Sequence, residues 1–217
     1  MIQSILDLIA YKLENLENSN KIQELVKEAL TKGVSASEII ENGLRVGLDR
    51  VGEKYENGEY FLSELLFAST LMKESLETLA PAMIGQSLKK IGKIVLGTVR
   101  GDIHDIGKNI FKTLATSAGF EIYDLDVDVE PRRFIEKLKE TNAEILAMST
   151  LLTTCLPEVT NVIEEVKKAG IRDRIKIILG GNAVTEDFAK ETGADAAARS
   201  AVEGVNICKE WIFHEKK

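Results

Sequence analysis

The sequence predicts an α/β protein in two parts, a helical bundle over residues 1–90 and a five-stranded parallel sheet domain over residues 91–217. Three features carry that expectation. Apolar residues in the first part keep the three-and-four spacing of helices. From about Ile91, short β-branched runs alternate with helical patterns, and parallel strands need such crossovers, which cover both faces of the sheet. Three of the strand-like runs then end in residues rare at such places: an Asp–His loop, a hydroxyl-rich loop and a glycine pair.

In the first part, Ile2, Ile5, Leu6, Ile9, Leu13 and Leu16 draw one apolar stripe. Asn18-Ser19-Asn20 breaks it and supplies a cap for a second helix carrying Ile22, Leu25, Val26, Ala29 and Leu30, which Gly33 ends. Ser35 and Glu38 form a capping-box pattern opening a third helix along Ile40, Leu44, Leu48, Val51 and Tyr55, closed by Asn57-Gly58. A fourth carries Leu62, Leu65, Leu66, Ser69, Met72, Leu76 and Leu79 and stops near Pro81. Four helices with short turns make a small bundle, whose core accounts for most of these side chains. Gln86-Ser87-Leu88-Lys89-Lys90 is the expected domain boundary.

In the second part, strands are expected at 93–99, 121–125, 144–149, 176–179 and 194–197. Helices are expected at about 108–117, 131–141, 155–169, 185–191 and 202–213. A net charge of −7 argues against nucleic-acid or anionic-membrane partners. No apolar run reaches the roughly 18 residues of a membrane span, and no signal peptide is expected from Met1-Ile2-Gln3-Ser4. Cys155 and Cys208 make no disulfide framework, so a reduced, cytoplasmic setting is expected.

The chemistry gathers at the strand ends. Gly101-Asp102-Ile103-His104-Asp105-Ile106-Gly107-Lys108-Asn109-Ile110 reads as a loop leaving the first strand, where open α/β sheets hold ligands. Asp102 and His104 are two apart, and in extended chain they project to the same side. Asp102 could then take the proton of one ring nitrogen while the other faces a metal as a neutral donor. The only other histidine is His214, in the charged tail, so further protein ligands for zinc or iron are missing. A lone histidine suffices when a macrocycle completes the coordination sphere. Ser149-Thr150-Leu151-Leu152-Thr153-Thr154 and Gly180-Gly181-Asn182 would open on the same sheet edge. Singly, each of the three has a plain alternative: a surface histidine, a helix cap, a turn.

Together, Asp102-x-His104-x-x-Gly107, Ser149-x-x-x-Thr153 and Gly180-Gly181 resemble the cobalamin-binding fingerprint of methionine synthase and of the small corrinoid proteins of methyltransferase systems. The run from Gly101 to Asn109 is close to that family's consensus, and Tyr60-Phe61-Leu62-Ser63-Glu64-Leu65 resembles its helical cap. The resemblance implies a four-helix cap before a flavodoxin-like, Rossmann-type sheet domain. It implies cobalamin or a related corrinoid bound base-off, with His104 as the lower cobalt ligand. Asp102 would support that histidine. Gly107, Ser149, Thr153, Gly180 and Gly181 would line the slot for the displaced nucleotide tail, with Ser149 bonding its ring nitrogen. Phe61 would cover the upper face; Leu65 and Met72 read equally as cover or as core.

Two positions depart from the family. Cys155 stands where methionine synthase continues its His–Asp relay with a serine, and Ala194-Asp195-Ala196-Ala197-Ala198-Arg199-Ser200 lacks the usual aromatic and acidic residues. The function implied is a carrier, itself without catalytic residues, that cycles between Co(I) and methyl-Co(III) in methanogenic or acetogenic metabolism. Its partners would be a substrate-specific methyltransferase, a second methyltransferase serving coenzyme M or tetrahydrofolate, and a reductive activating protein. The donor, whether methylamine, methanol, methoxyaromatic or betaine, would be chosen by the partner. The alternatives are the cobalamin-binding subunit of an adenosylcobalamin-dependent mutase, a cobalamin-sensing regulator and a plain flavodoxin-like signalling domain.

Overall fold

A computed structural model of the chain describes residues 2–83 and 90–214. Of the expected boundary segment, Gln86, Ser87, Leu88 and Lys89 lie outside the described residues. The chain divides into two compact units, residues 1–89 and 90–217.

The first unit is helical. Helix α1 (Ile2–Glu14) buries Ile5, Leu6, Ile9 and Leu13, the stripe that its spacing draws. Helix α2 (Ser19–Thr31) starts where the Asn18 side chain accepts the Asn20 N–H at 2.9 Å. The third rod begins as α3 (Ala36–Ile39), with the Ser35 hydroxyl accepting the Glu38 N–H at 3.2 Å. It widens into a π turn over Ile40–Leu44 and continues as α4 (Arg45–Glu56). Gly43 and Gly47 face α1 so closely that a Cβ on Gly47 would stand 2.7 Å from the Ala10 carbonyl oxygen. Helix α5 (Leu62–Leu79) starts after Phe61, whose N–H donates to the Glu64 carboxylate at 2.9 Å. Leu65 and Met72 are core residues here, almost fully buried, whereas Phe61 is 73% exposed.

The second unit is a parallel sheet of order β2-β1-β3-β4-β5, formed by β1 (Lys93–Thr98), β2 (Glu121–Asp124), β3 (Ile145–Ser149), β4 (Lys176–Gly180) and β5 (Ala196–Ala198). Four crossover helices join the strands, α6 (Ile106–Ser117), α7 (Pro131–Thr141), α8 (Leu156–Lys168) and α9 (Glu186–Thr192), and α10 (Ala201–His214) follows β5. Helices α7 and α8 pack together on one side, and α6 with α10 make the other pair. Strands β1, β3 and β4 are buried on both faces, as their unbroken runs of Ile, Val and Leu require. Gly97 in β1 lets the Phe134 ring lie against the strand; a Cβ there would come within 2.8 Å of it.

The register sets the strand ends level. Ser149, closing β3, is paired with Thr98 on one side and with Gly180 on the other. Because β1 and β3 are neighbours while their crossovers leave in opposite directions, the loops after them part and open the crevice at the switch point.

Candidate functional site

The loop from β1 to α6 turns on Gly101, whose φ of +83° is the left-handed conformation glycine adopts without penalty. The Gly101 N–H donates to the Asp128 carboxylate at 2.7 Å, and the Asp128 N–H returns to the Asp102 carbonyl at 3.0 Å. Helix α6 starts at Ile106, earlier than the apolar spacing suggests, with Asp105 in the N-cap position. Ile106 and Gly107 therefore lie in the first helical turn with Lys108 and not in the loop, a correction to the sequence reading.

Asp102 is completely buried and gathers five donors. On Oδ1 it receives the His104 N–H at 3.0 Å and ring Nδ1 at 2.7 Å. On Oδ2 it receives the Thr150 hydroxyl at 3.1 Å and the N–H groups of Leu151 and Leu152 at 2.7 and 3.2 Å. Burial works against the charge, but the bonds from His104, Leu151 and Leu152 outweigh it and hold the carboxyl far below the usual carboxylate range. A carboxylate so held favours the tautomer with its proton on Nδ1, the one in which Nε2 carries the lone pair. The His104 ring is 49% exposed, and the loop after β1, the first residue of α6 and the loop after β3 add a rim of exposed apolar side chains, Ile103, Ile106, Leu151 and Leu152.

The small residues expected at the slot do different things. A Cβ added to Gly107 or Gly180 would meet nothing within 4 Å, so these two border open space. Gly181 is different: at φ +112°, its Cβ would fall 2.0 Å from the Thr150 carbonyl oxygen, so its bareness serves the fold. Ser149 closes β3, half-buried, and Thr153 sits exposed in the 3₁₀ turn Thr153–Cys155 before α8. Asp102, His104, Gly107, Ser149, Thr153, Gly180 and Gly181 thus share the carboxyl edge of one sheet, while Phe61 belongs to the other unit.

Four participants escape the sequence reading. Thr150 and the Leu151 and Leu152 amides complete the Asp102 shell, whereas Cys155, in the place of the relay serine, is buried and free. Lys108 extends its almost fully buried side chain to both Asp124 oxygens at 2.8 and 2.9 Å, tying the first turn of α6 to the end of β2. Thr150 lies within the hydroxyl run already notable in sequence; only strand register shows which of its hydroxyls meets Asp102.

The donor set suits a macrocyclic metal. Among the described residues no group of three or more His, Cys, Asp or Glu side chains could hold a metal ion, so His104 is a single imidazole on an apolar rim, beside open space at two glycines.

Residues 92–206 and 18–80 match two family models, each described as a B12 binding domain. Over 193 residues the chain is 43% identical to dimethylamine corrinoid protein 3 of Methanosarcina acetivorans, covering 89% of this chain and 90% of that one. A novel cobalamin-binding protein from Desulfitobacterium hafniense, solved by crystallography, superposes with a TM-score of 0.82 at 38% identity, covering 95% of this chain and 98% of that one. A chain in the crystal structure of the methanol:cobalamin methyltransferase complex MtaBC from Methanosarcina barkeri gives a TM-score of 0.83 at 26% identity, covering 97% of this chain and 80% of that chain.

Proposed function

The chain belongs to the B12-binding corrinoid proteins, among them the methylamine corrinoid proteins, and from that premise we propose that it is a corrinoid methyl carrier of a methyltransferase system. The observation that carries the reading is the buried Asp102 carboxylate on His104 Nδ1 at 2.7 Å, which keeps Nε2 available on an apolar rim. The bound corrinoid supplies the chemistry, its cobalt alternating between Co(I) and methyl-Co(III). Everything else falls to the protein. His104 Nε2 would hold the cobalt of a corrinoid bound base-off, and Asp102 would balance the charge of the ring. Gly107 and Gly180 leave room for the displaced nucleotide tail, with Ser149 and Thr153 as its hydroxyl neighbours and Gly181 shaping the wall. Phe61, an exposed aromatic residue of the helical unit, would be the cover of the methyl-bearing face.

Methylamine corrinoid proteins and the MtaBC complex support methyltransferase partners on the donor side. A second methyltransferase, serving coenzyme M or tetrahydrofolate, receives the methyl group, and a reductive activating protein restores the carrier. The carrier turns over no substrate alone. The mutase-subunit and regulator readings have no specific observation in their favour.

The test is electron paramagnetic resonance of the Co(II) protein carrying nitrogen-15 histidine. Superhyperfine splitting that changes with the label is expected; splitting indifferent to it would falsify histidine ligation.

A further inference from the structure

We infer that Thr150, not the residue at position 155, is the third member of the His104–Asp102 chain and positions the imidazole through the carboxylate. The inference rests on the reading of His104 as cobalt ligand, which it refines by naming the residue that controls the ring's orientation. In methionine synthase the hydroxyl completing such a chain stands where this protein has Cys155. That thiol is buried beside Gly101, whose added Cβ would lie 3.4 Å from Sγ, and it makes no hydrogen bond to Asp102 among those of the described residues. A thiol is in any case a weak donor.

Thr150 takes over from the opposite end of the same loop. Its side chain is buried with the residue 1% exposed, and Oγ1 lies 3.1 Å from Asp102 Oδ2 and 3.3 Å from the Leu152 carbonyl oxygen. A hydroxyl has one proton, and the charged, nearer acceptor takes it. Oδ2 then has three donors, from Thr150, Leu151 and Leu152, which pin the plane of the carboxylate. With that plane fixed, Oδ1 can meet the imidazole in only one orientation, along Nδ1–H at 2.7 Å. The threonine itself is held by the sheet: its N–H donates to the Gly180 carbonyl at 3.0 Å, and its own carbonyl fills the space that Gly181 leaves. Position 150 thus transmits the register of β3 against β4 to the direction of the His104 ring. Thr150 is a positioning residue, acting through Asp102.

The full-length, cofactor-free protein tests this with histidine-selective nitrogen-15 nuclear magnetic resonance. The chain has two histidines, so a His104→Gln spectrum assigns the signals. Wild-type protein is expected to show the Nδ1–H tautomer with a deshielded, slowly exchanging ring proton. Thr150→Val should accelerate exchange of that proton roughly tenfold, the equivalent of one lost hydrogen bond. Thr150→Ala, which needs less room, should do the same if valine is not accommodated. Thr150→Ser should restore the wild-type spectrum, and Cys155→Ala should leave it unchanged. An unaltered signal in both Thr150→Val and Thr150→Ala overturns the assignment, as does a Cys155→Ala variant that loses the signal, or failure of serine to restore it. Cobalt ligation is read separately, from the labelled Co(II) spectrum of the loaded wild type, so failure of either reading leaves the other distinguishable.

Discussion

Asp102 and Lys108 show how much of this site hangs on single side chains. Asp102→Asn keeps the volume but points an amide N–H₂ at donors that need an acceptor, leaving buried partners unmet. A loss of about 2–4 kcal/mol of stability is expected in urea denaturation of the cofactor-free protein. The acid limb of stability follows from Asp102 and Asp124. Burial opposes ionisation of both; hydrogen bonds prevail, from His104, Leu151 and Leu152 at Asp102 and from Lys108 and Lys112 at Asp124, and both carboxyl groups titrate below their ordinary value. The unfolded chain therefore takes up these protons first as pH falls. Their contribution is full above the unfolded carboxylate value of about 4 and drains away below it. Denaturation midpoints measured from pH 7 to pH 3 should fall steeply only at the acid end, and less so in Asp124→Asn.

Glycines separate fold from ligand at the level of elements. Gly107 sits in the first turn of α6 with open space at its missing Cβ, so Gly107→Ala should stabilise the cofactor-free protein by up to about 1 kcal/mol. The same methyl group would stand in the slot proposed for the nucleotide tail, and corrinoid affinity should fall at least severalfold in a binding titration. Gly181→Ala should do the reverse of the first effect, destabilising by more than about 2 kcal/mol, because its φ and the Thr150 carbonyl leave no place for a side chain. Sequence alone does not sort these glycines. It shows the Asp102–His104 pair, since two residues in extended chain share a side, and it shows strands β1, β3 and β4 from their apolar runs. It hides whatever depends on register: Ser149 beside Gly180, the Leu151 and Leu152 amides on a carboxylate some fifty positions earlier, and Lys108 reaching Asp124. The π turn at Ile40–Leu44 is invisible for another reason. Its apolar residues keep the four-residue spacing of an ordinary helix, and only the close approach of Gly43 and Gly47 to α1 marks the place.

For the molecule as a whole, the proposed lower-face ligands come from residues 90–217 and the proposed cover from residues 1–89. If Phe61 is that cover, Phe61→Ala in the full chain should leave corrinoid binding intact and speed photolysis of the methylated cofactor, since an uncovered face lets radicals escape before they recombine. Equal photolysis rates in both proteins would assign the bundle a role other than cover. The site inside the second unit has a different consequence, in time. Asp102 and its Oδ2 donors are separated by 48 to 50 positions along the chain, and β1 and β3 must be paired in register before those groups can meet. Closing so long a loop is slow and is rewarded late in folding. Contacts formed after the rate-limiting step affect unfolding rather than folding. Thr150→Val should therefore leave the refolding rate of the cofactor-free protein nearly untouched and raise its unfolding rate, as stopped-flow chevrons would show. On that outcome the histidine would be oriented only as folding ends, and a corrinoid would meet a completed sheet rather than template it.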